Sequence, residues 1–242
     1  MQTINVSEHE GLKLKKLKGF ELLYEVSRAI SSNRYLEEIL LLVVGMTAEL
    51  MGSKVCSLML LDEEKQELVI KATQSLSEHY RTKRPIKVGE SVIGRVVQQK
   101  VPITVRDVTA ESGYKYPEIA RAEGLRSLIS VPMMIKNRVI GVLNCYTTTE
   151  HEFGEEEIKL LVGVANQAAV AIENTNLLAE KIAAVEALET RKRVERAKGI
   201  LMKRYSIGET EAYRMLQKQS MDKSHSLKEI AEAVIVSEEI AN

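Results

Sequence analysis

The sequence predicts an α+β domain with an antiparallel sheet, joined by a long coiled-coil helix to a small three-helix bundle. Three observations carry that reading. Strand-like and helical segments alternate through the first half of the chain, an apolar heptad seam takes over from Glu155, and two short amphipathic segments follow Tyr205. Residues 12–31 open the chain as an amphipathic helix, with Leu17, Phe20, Leu23, Val26 and Ile30 at spacings of three and four. A second helix, residues 36–51, stops at Gly52, the residue type that commonly ends helices. Residues 55–61 and 68–73 read as strands joined by the polar turn 62–67, a hairpin. Residues 86–89 lead into a short helix, 91–99, and a strand at 103–105. A polar loop over 106–117 then precedes two β-rich runs, 127–134 and 139–146, split by the turn 135–138. Helices packed against an antiparallel sheet satisfy this order.

From Glu155 the apolar residues Ile158, Leu161, Ala165, Ala168, Ile172, Thr175, Ala179 and Ile182 recur at alternating steps of three and four. The register fails at Glu186 and Glu189 and resumes with Val194, Ala197 and Leu201. A helix from 155 to 204 would extend roughly 75 Å. Residues 155–172 are expected to pack on their own domain. Beyond Thr175 a lone helix would expose Leu177, Leu178, Ile182, Val185 and Leu188, so pairing with a second copy is expected there. After the break at 206–208, helix 209–219 presents Ala212, Tyr213, Met215 and Leu216. Ser226 and Glu229 have the spacing of a capping box at the start of the last helix. Helices this short need a third wall, which residues 194–201 must supply.

The chain has 242 residues, with 34 Lys+Arg against 34 Asp+Glu, 45% hydrophobic and 28% charged, which argues against a disordered or fibrous chain. Its longest uncharged stretches, 39–48 and 160–172, are too short to cross a bilayer, and residues 1–18 are too charged for a signal peptide. No membrane partner and a cytoplasmic setting are therefore expected. Two cysteines, Cys56 and Cys145, make no disulfide framework and sit in strand-like runs as small buried hydrophobes. The four histidines lack zinc-site spacing, and no cofactor is identified. Charge is unevenly placed: residues 191–204 hold seven basic residues and one acid, Glu195.

Four segments together resemble a GAF domain over residues 20–176: VCSLMLLDEEKQELVIKAT, IKVGESVIGRVVQQKVPITVRDV, GLRSLISVPMMIKNRVIGVLNCY and FGEEEIKLLVGVANQAAVAIENT. Residues 186–241 resemble an ANTAR domain, through AKGILM at 197–202, Glu211, Ala212, Tyr213 and Leu216, and QSMDKSHSLKEIAEAVI; Ser220 stands where many members carry Ala. The organisation expected is an N-terminal helical extension at 1–19, a GAF sensor at 20–176, a coiled-coil linker at 177–190 and an ANTAR domain at 191–242. The resemblance implies a non-enzymatic, homodimeric transcription antitermination regulator that binds RNA hairpin loops in nascent transcripts. Arg191, Lys192, Arg196, Lys198, Lys203 and Arg204, with Arg214, Lys218 and Lys223 from the next helix and its loop, are the expected RNA contacts. Tyr213 either stacks on a base or fills core; its place in the apolar stripe favours core.

A small-molecule effector would lie between the sheet and the loops 73–88 and 106–128, with Tyr114, Tyr116, Arg121 and Arg126 as candidate contacts. The cyclic-nucleotide signature of some GAF domains is not evident, since Phe153 is followed by three acids without the paired Asn-Lys. His79 and His151 fall in polar segments, which leaves no convincing haem ligand. Two rival readings stand. One is a helix-turn-helix DNA binder; against it, the turn at 220–225 is long and Lys228 is the only basic residue on the second helix. The other is a GAF-fold methionine sulfoxide reductase using Cys56 and Cys145, which lack basic neighbours in sequence.

Overall fold

The computed structural model describes residues 17–19, 21, 24, 25, 28, 36–75 and 77–241. The expected helix over 12–31 lies largely outside the described residues; those of it that are described are helical. The chain divides into two compact units, 1–175 and 176–242.

In the first unit, helix α1 (Leu36–Met51) closes at Gly52, whose φ of +59° is easily reached only without a Cβ. Strands β1 (Val55–Asp62) and β2 (Glu67–Thr73) form the expected hairpin. They are followed by α2 (Glu78–Arg81), β3 (Ile86–Lys87), α3 (Ser91–Gln99), β4 (Ile103–Val105), α4 (Pro117–Ala122), β5 (Leu128–Ile135) and β6 (Arg138–Tyr146). The strands make one antiparallel sheet in the order β3-β2-β1-β6-β5-β4.

Alternation along the strands divides two cores. Cys56, Leu58, Ile129, Val131, Met133, Leu143 and Cys145 face α1 and the first half of the long helix α5 (Glu155–Tyr205). Val55, Met59, Leu128, Val142 and Tyr146 face the other way, against Tyr80, Tyr114 and the Val92–Ile93–Val96 side of α3. Both faces being covered explains why β5 and β6 read as continuous apolar runs and not as alternating ones. Gly94 lets α3 approach β3: a Cβ there would lie 2.2 Å from the Lys87 carbonyl oxygen.

The heptad seam serves two purposes. Leu161, Ala165, Ala168 and Ile172 are buried in the first unit's own core, as expected for residues 155–172. From 176 to 188 every residue is exposed, Leu177, Leu178, Ile182, Val185 and Leu188 each by more than half.

In the second unit, Val194, Ala197 and Leu201 of α5 pack with Ala212 and Leu216 of α6 (Glu209–Lys223) and with Ile230, Ala231 and Ile235 of α7 (Leu227–Ala241). This is the third wall the sequence required. The capping box forms as expected: the Ser226 amide donates to Glu229 Oε2 at 2.7 Å, and the Glu229 amide donates to Ser226 Oγ at 3.2 Å. Helix α6 runs to Lys223, past its expected end at 219, so the turn before α7 is only residues 224–226, and the long turn expected at 220–225 does not occur. Ser224 reverses the chain in the left-handed region, and Ser220 Oγ donates to the His225 carbonyl at 2.6 Å, which holds the shortened turn.

Candidate functional site

The basic run at the end of α5 does not stand free along its whole length. Arg193 pairs with Glu232 at 2.9 Å, Arg196 with Glu239 at 2.8 Å, and Arg204 with Glu238. The carboxylates of α7 thus cover one flank of the run. Lys192 bonds to Glu189, one turn earlier, at 3.1 Å. Lys198 is buried, and its ammonium lies 2.6 Å from Glu209 and 2.9 Å from Glu195, tying α5 to the first turn of α6. Glu209 first and Glu195 next hold that ammonium above its ordinary pKa. Lys198 is therefore a structural cation, with its donors already engaged.

Arg191, Lys203, Arg214, Lys218 and Lys223 differ. All five are exposed, and among the described residues no ion pair is made by any of them. Arg214 and Lys218 lie one turn apart on α6 and so share a face. Two aromatic rings belong to the same unit. Tyr205 is 54% exposed, and Tyr213, expected to fill core, is 37% exposed. The buried line of α6 is Ala212 and Leu216, four residues apart, and Tyr213 is rotated about 100° from it. Exposed cations with exposed rings on a firm helical scaffold can contact phosphates and stack unpaired bases.

The four sensor residues singled out in the sequence do not converge. Tyr114 is buried, and its hydroxyl donates to the Tyr146 hydroxyl at 3.1 Å. Tyr116 donates instead to the Arg84 carbonyl at 2.9 Å. Arg121 donates to the Thr109 carbonyl at 3.1 Å, and Arg126 to Asp107 at 2.6 Å. Both arginines border a surface depression of about 370 Å³ with Gly124, Leu125 and Thr148.

What the sequence reading missed lies on the sheet face opposite α1. Ser57, Asn144 and Ser130 stand in register across β1, β6 and β5. Ser130 Oγ donates to Asn144 Oδ1 at 2.7 Å, and Ser57 Oγ is 3.0 Å from the Tyr80 hydroxyl. The Tyr80 and Tyr114 rings both meet Tyr146 edge-on, at 6.1 and 6.4 Å between centroids. Burial pushes the Tyr114 hydroxyl up to about 12, so the cluster is neutral. Three polar residues inside apolar strands were the available signal, but only the register aligns them.

Cys56 and Cys145 face each other across β1 and β6, fully buried, with Sγ atoms 3.5 Å apart. Burial, and then the Cys145 thiol, push the Cys56 thiol up, away from thiolate. Among the described residues there is no group of three or more His, Cys, Asp or Glu able to hold a metal ion. No described helix is long and apolar enough to cross a membrane.

A GAF domain family model matches residues 33–173, and an ANTAR domain model matches residues 183–235. The transcriptional regulatory protein PdtaR of Mycobacterium tuberculosis is 41% identical over 63 residues, 26% of this chain and 31% of that protein. The phosphoenolpyruvate-dependent phosphotransferase system protein of Escherichia coli is 26% identical over 157 residues, 65% of this chain and 21% of its own length. Both alignments thus span well under half of the curated relative. Among solved structures, the GAF domain of a phosphoenolpyruvate-protein phosphotransferase from Coxiella burnetii matches with a TM-score of 0.61 at 26% identity, covering 68% of this chain and 98% of that one.

Proposed function

For a chain that belongs to the GAF domain family and carries an ANTAR domain behind it, we propose a transcription antitermination regulator whose ANTAR unit grips hairpin loops in nascent mRNA. A sensor-regulated ANTAR regulator follows from the two domains and the PdtaR homology. What supports the RNA reading is the set of five exposed cations that make no ion pair among the described residues of the ANTAR unit: Arg191, Lys203, Arg214, Lys218 and Lys223. Within the wider set read from sequence, these five bear the phosphate contacts. Lys198 holds the bundle together, and Lys192, Arg196 and Arg204 reach RNA only by giving up a carboxylate.

No covalent chemistry is needed. Bound protein stabilises one RNA fold over a competing terminator hairpin by differential affinity. The stripe Leu177, Leu178, Ile182, Val185 and Leu188 pairs two protomers, so that two loops are held together, and the GAF unit biases that pairing when a small-molecule effector binds. Crosslinking the protein to transcripts in its own cell tests this. Reads centred on paired hairpin loops upstream of terminators support it. Crosslinks spread evenly over double-stranded RNA, or absent, overturn it.

One observation favours the DNA reading more than the sequence did: the three-residue turn between α6 and α7 has helix-turn-helix length. The character of α7 opposes it. That helix carries Glu229, Glu232, Glu238 and Glu239 against Lys228 alone, a poor surface for a major groove lined by phosphates. The reductase reading needs an accessible thiolate, and the buried, raised Cys56 thiol beside Cys145 does not provide one.

A further inference from the structure

A depression of about 370 Å³ opens on the sensor unit beside α4, the start of β5 and the end of β6, lined by Thr109, Arg121, Gly124, Leu125, Arg126 and Thr148. Two guanidiniums and two hydroxyls stand among those residues, and no carboxylate. Thr109 holds the guanidiniums together: its carbonyl accepts from Arg121 Nη2 at 3.1 Å, and its hydroxyl oxygen accepts from Arg126 Nη1 at 3.3 Å. Asp107 fixes Thr109 in turn, accepting from its amide at 2.8 Å and its hydroxyl at 2.7 Å. A third cation reaches the rim. The Lys54 ammonium donates to the Glu123 carbonyl at 2.6 Å, and a Cβ on Gly124 would lie 3.7 Å from it.

These like charges have too little to answer them. Asp107 pairs with Arg126 at 2.6 Å, while neither Arg121 nor Lys54 makes an ion pair among the described residues. Three cations against one carboxylate leave an excess of two positive charges around a concave surface. Donors remain available: Arg121 bonds through Nη2 alone and Arg126 through Nη1 alone. The space falls within the range of about 300–1,000 Å³ typical of small-molecule sites, more than a bare anion fills. A phosphate monoester carries about −1.5 to −2 charges at neutral pH, which matches the excess; a monocarboxylate would leave one cation unanswered. Guanidinium forks suit phosphate oxygens in geometry as well as charge.

We propose that this depression binds the phosphate group of a small phosphate monoester, with Arg121 and Arg126 meeting its oxygens, Thr109 and Thr148 beside them and Lys54 at the rim. The site rests on the reading of this unit as a sensor, and gives its effector a chemical class and a place.

Isothermal titration calorimetry of the full chain without RNA, in phosphate-free buffer at constant ionic strength, tests the site with glycerol 3-phosphate, inorganic phosphate and acetate. Glycerol 3-phosphate should bind, and acetate should bind at least about tenfold more weakly. Arg121→Gln, at a side chain otherwise bonded only to the Thr109 carbonyl, should weaken the monoester about tenfold or more, and Thr148→Val several-fold. Lys136→Gln removes the same charge from the β5–β6 turn, roughly 25 Å along the hairpin from Arg126, and should change affinity by less than about twofold. Inorganic phosphate binding as tightly as the monoester assigns recognition to the phosphate group alone; weaker binding assigns the difference to the carrier filling the depression. Failure of both phosphate compounds to bind, or acetate binding equally well, overturns the site. So does undiminished binding in Arg121→Gln and Thr148→Val, the result expected if the ANTAR cations hold the phosphate. Failure of the sensor reading shows separately, as hairpin affinity unmoved by saturating monoester in a chain that binds it.

Discussion

Replacing Arg214 and Lys218 with glutamine removes two of the five exposed cations that make no ion pair among the described residues of the ANTAR unit. With one phosphate met by each cation and a slope of about 0.7 per contact on single strands, the five together give log Kd against log salt a slope of about 3.5 per protomer. Raising salt from about 50 to about 200 mM should then weaken wild-type binding by about 130-fold, and the variant, with three contacts and a slope of about 2.1, by about 18-fold. The control is Arg196→Gln with Arg204→Gln, which removes the same total charge from guanidiniums held by Glu239 and Glu238. That pair should change the slope by less than about half a unit. Fluorescence anisotropy with a labelled hairpin RNA across a salt series measures all three. Equal slopes for the two variants would refute the reasoning, because pairing to α7 would then have no bearing on which cations meet phosphate.

Other expectations are as direct. Leu178→Asp with Ile182→Asp should convert a dimer to monomer in analytical ultracentrifugation, the stripe having no other cover within its unit. Ser226→Ala breaks the capping box and should cost about 1 kcal/mol in the urea transition of the ANTAR unit, with the sensor transition unmoved. Leu143→Ala, at a wholly buried position between the sheet and α1, should cost the sensor transition about 2–5 kcal/mol. The contacts of Thr109, then the charge of Arg126, hold the Asp107 carboxyl below its usual value. Its folded pKa is the lower one, so its stabilisation is complete above the unfolded value of about 3.9 and is lost as pH falls through the folded one. Asp107→Asn should therefore lower the sensor melting temperature at neutral pH, and progressively less in acid.

Much of the fold was legible because it rests on local signals. Gly52 marks the end of α1, the Asp62–Glu67 turn sets a hairpin, and Ser226 with Glu229 starts α7 where the pattern put it. The elements overlooked, α2 at Glu78–Arg81 and α4 at Pro117–Ala122, are too short to show a helical period, and they lie in the loops that cover the sheet. The candidate site was less legible because it depends on what lies opposite. Basic residues at 191–204 show as a run in sequence, but which of them are engaged depends on Glu232, Glu238 and Glu239, more than thirty residues later. Ser57 and Asn144 belong to separate segments that only strand register brings together, and Tyr80 joins them from α2 through its hydroxyl.

The central claim is that the ANTAR unit reads RNA loops. Anisotropy titration of the full chain at one salt concentration, against a hairpin RNA, the same stem fully paired and a duplex DNA of equal phosphate count, tests it most directly. With phosphates matched in number, counterion release per contact is no larger on a loop than on a duplex, so electrostatics does not favour the hairpin; the account predicts that the hairpin nonetheless binds at least about tenfold more tightly than either duplex, through stacking on unpaired bases. Duplex DNA binding as tightly as the hairpin would contradict it.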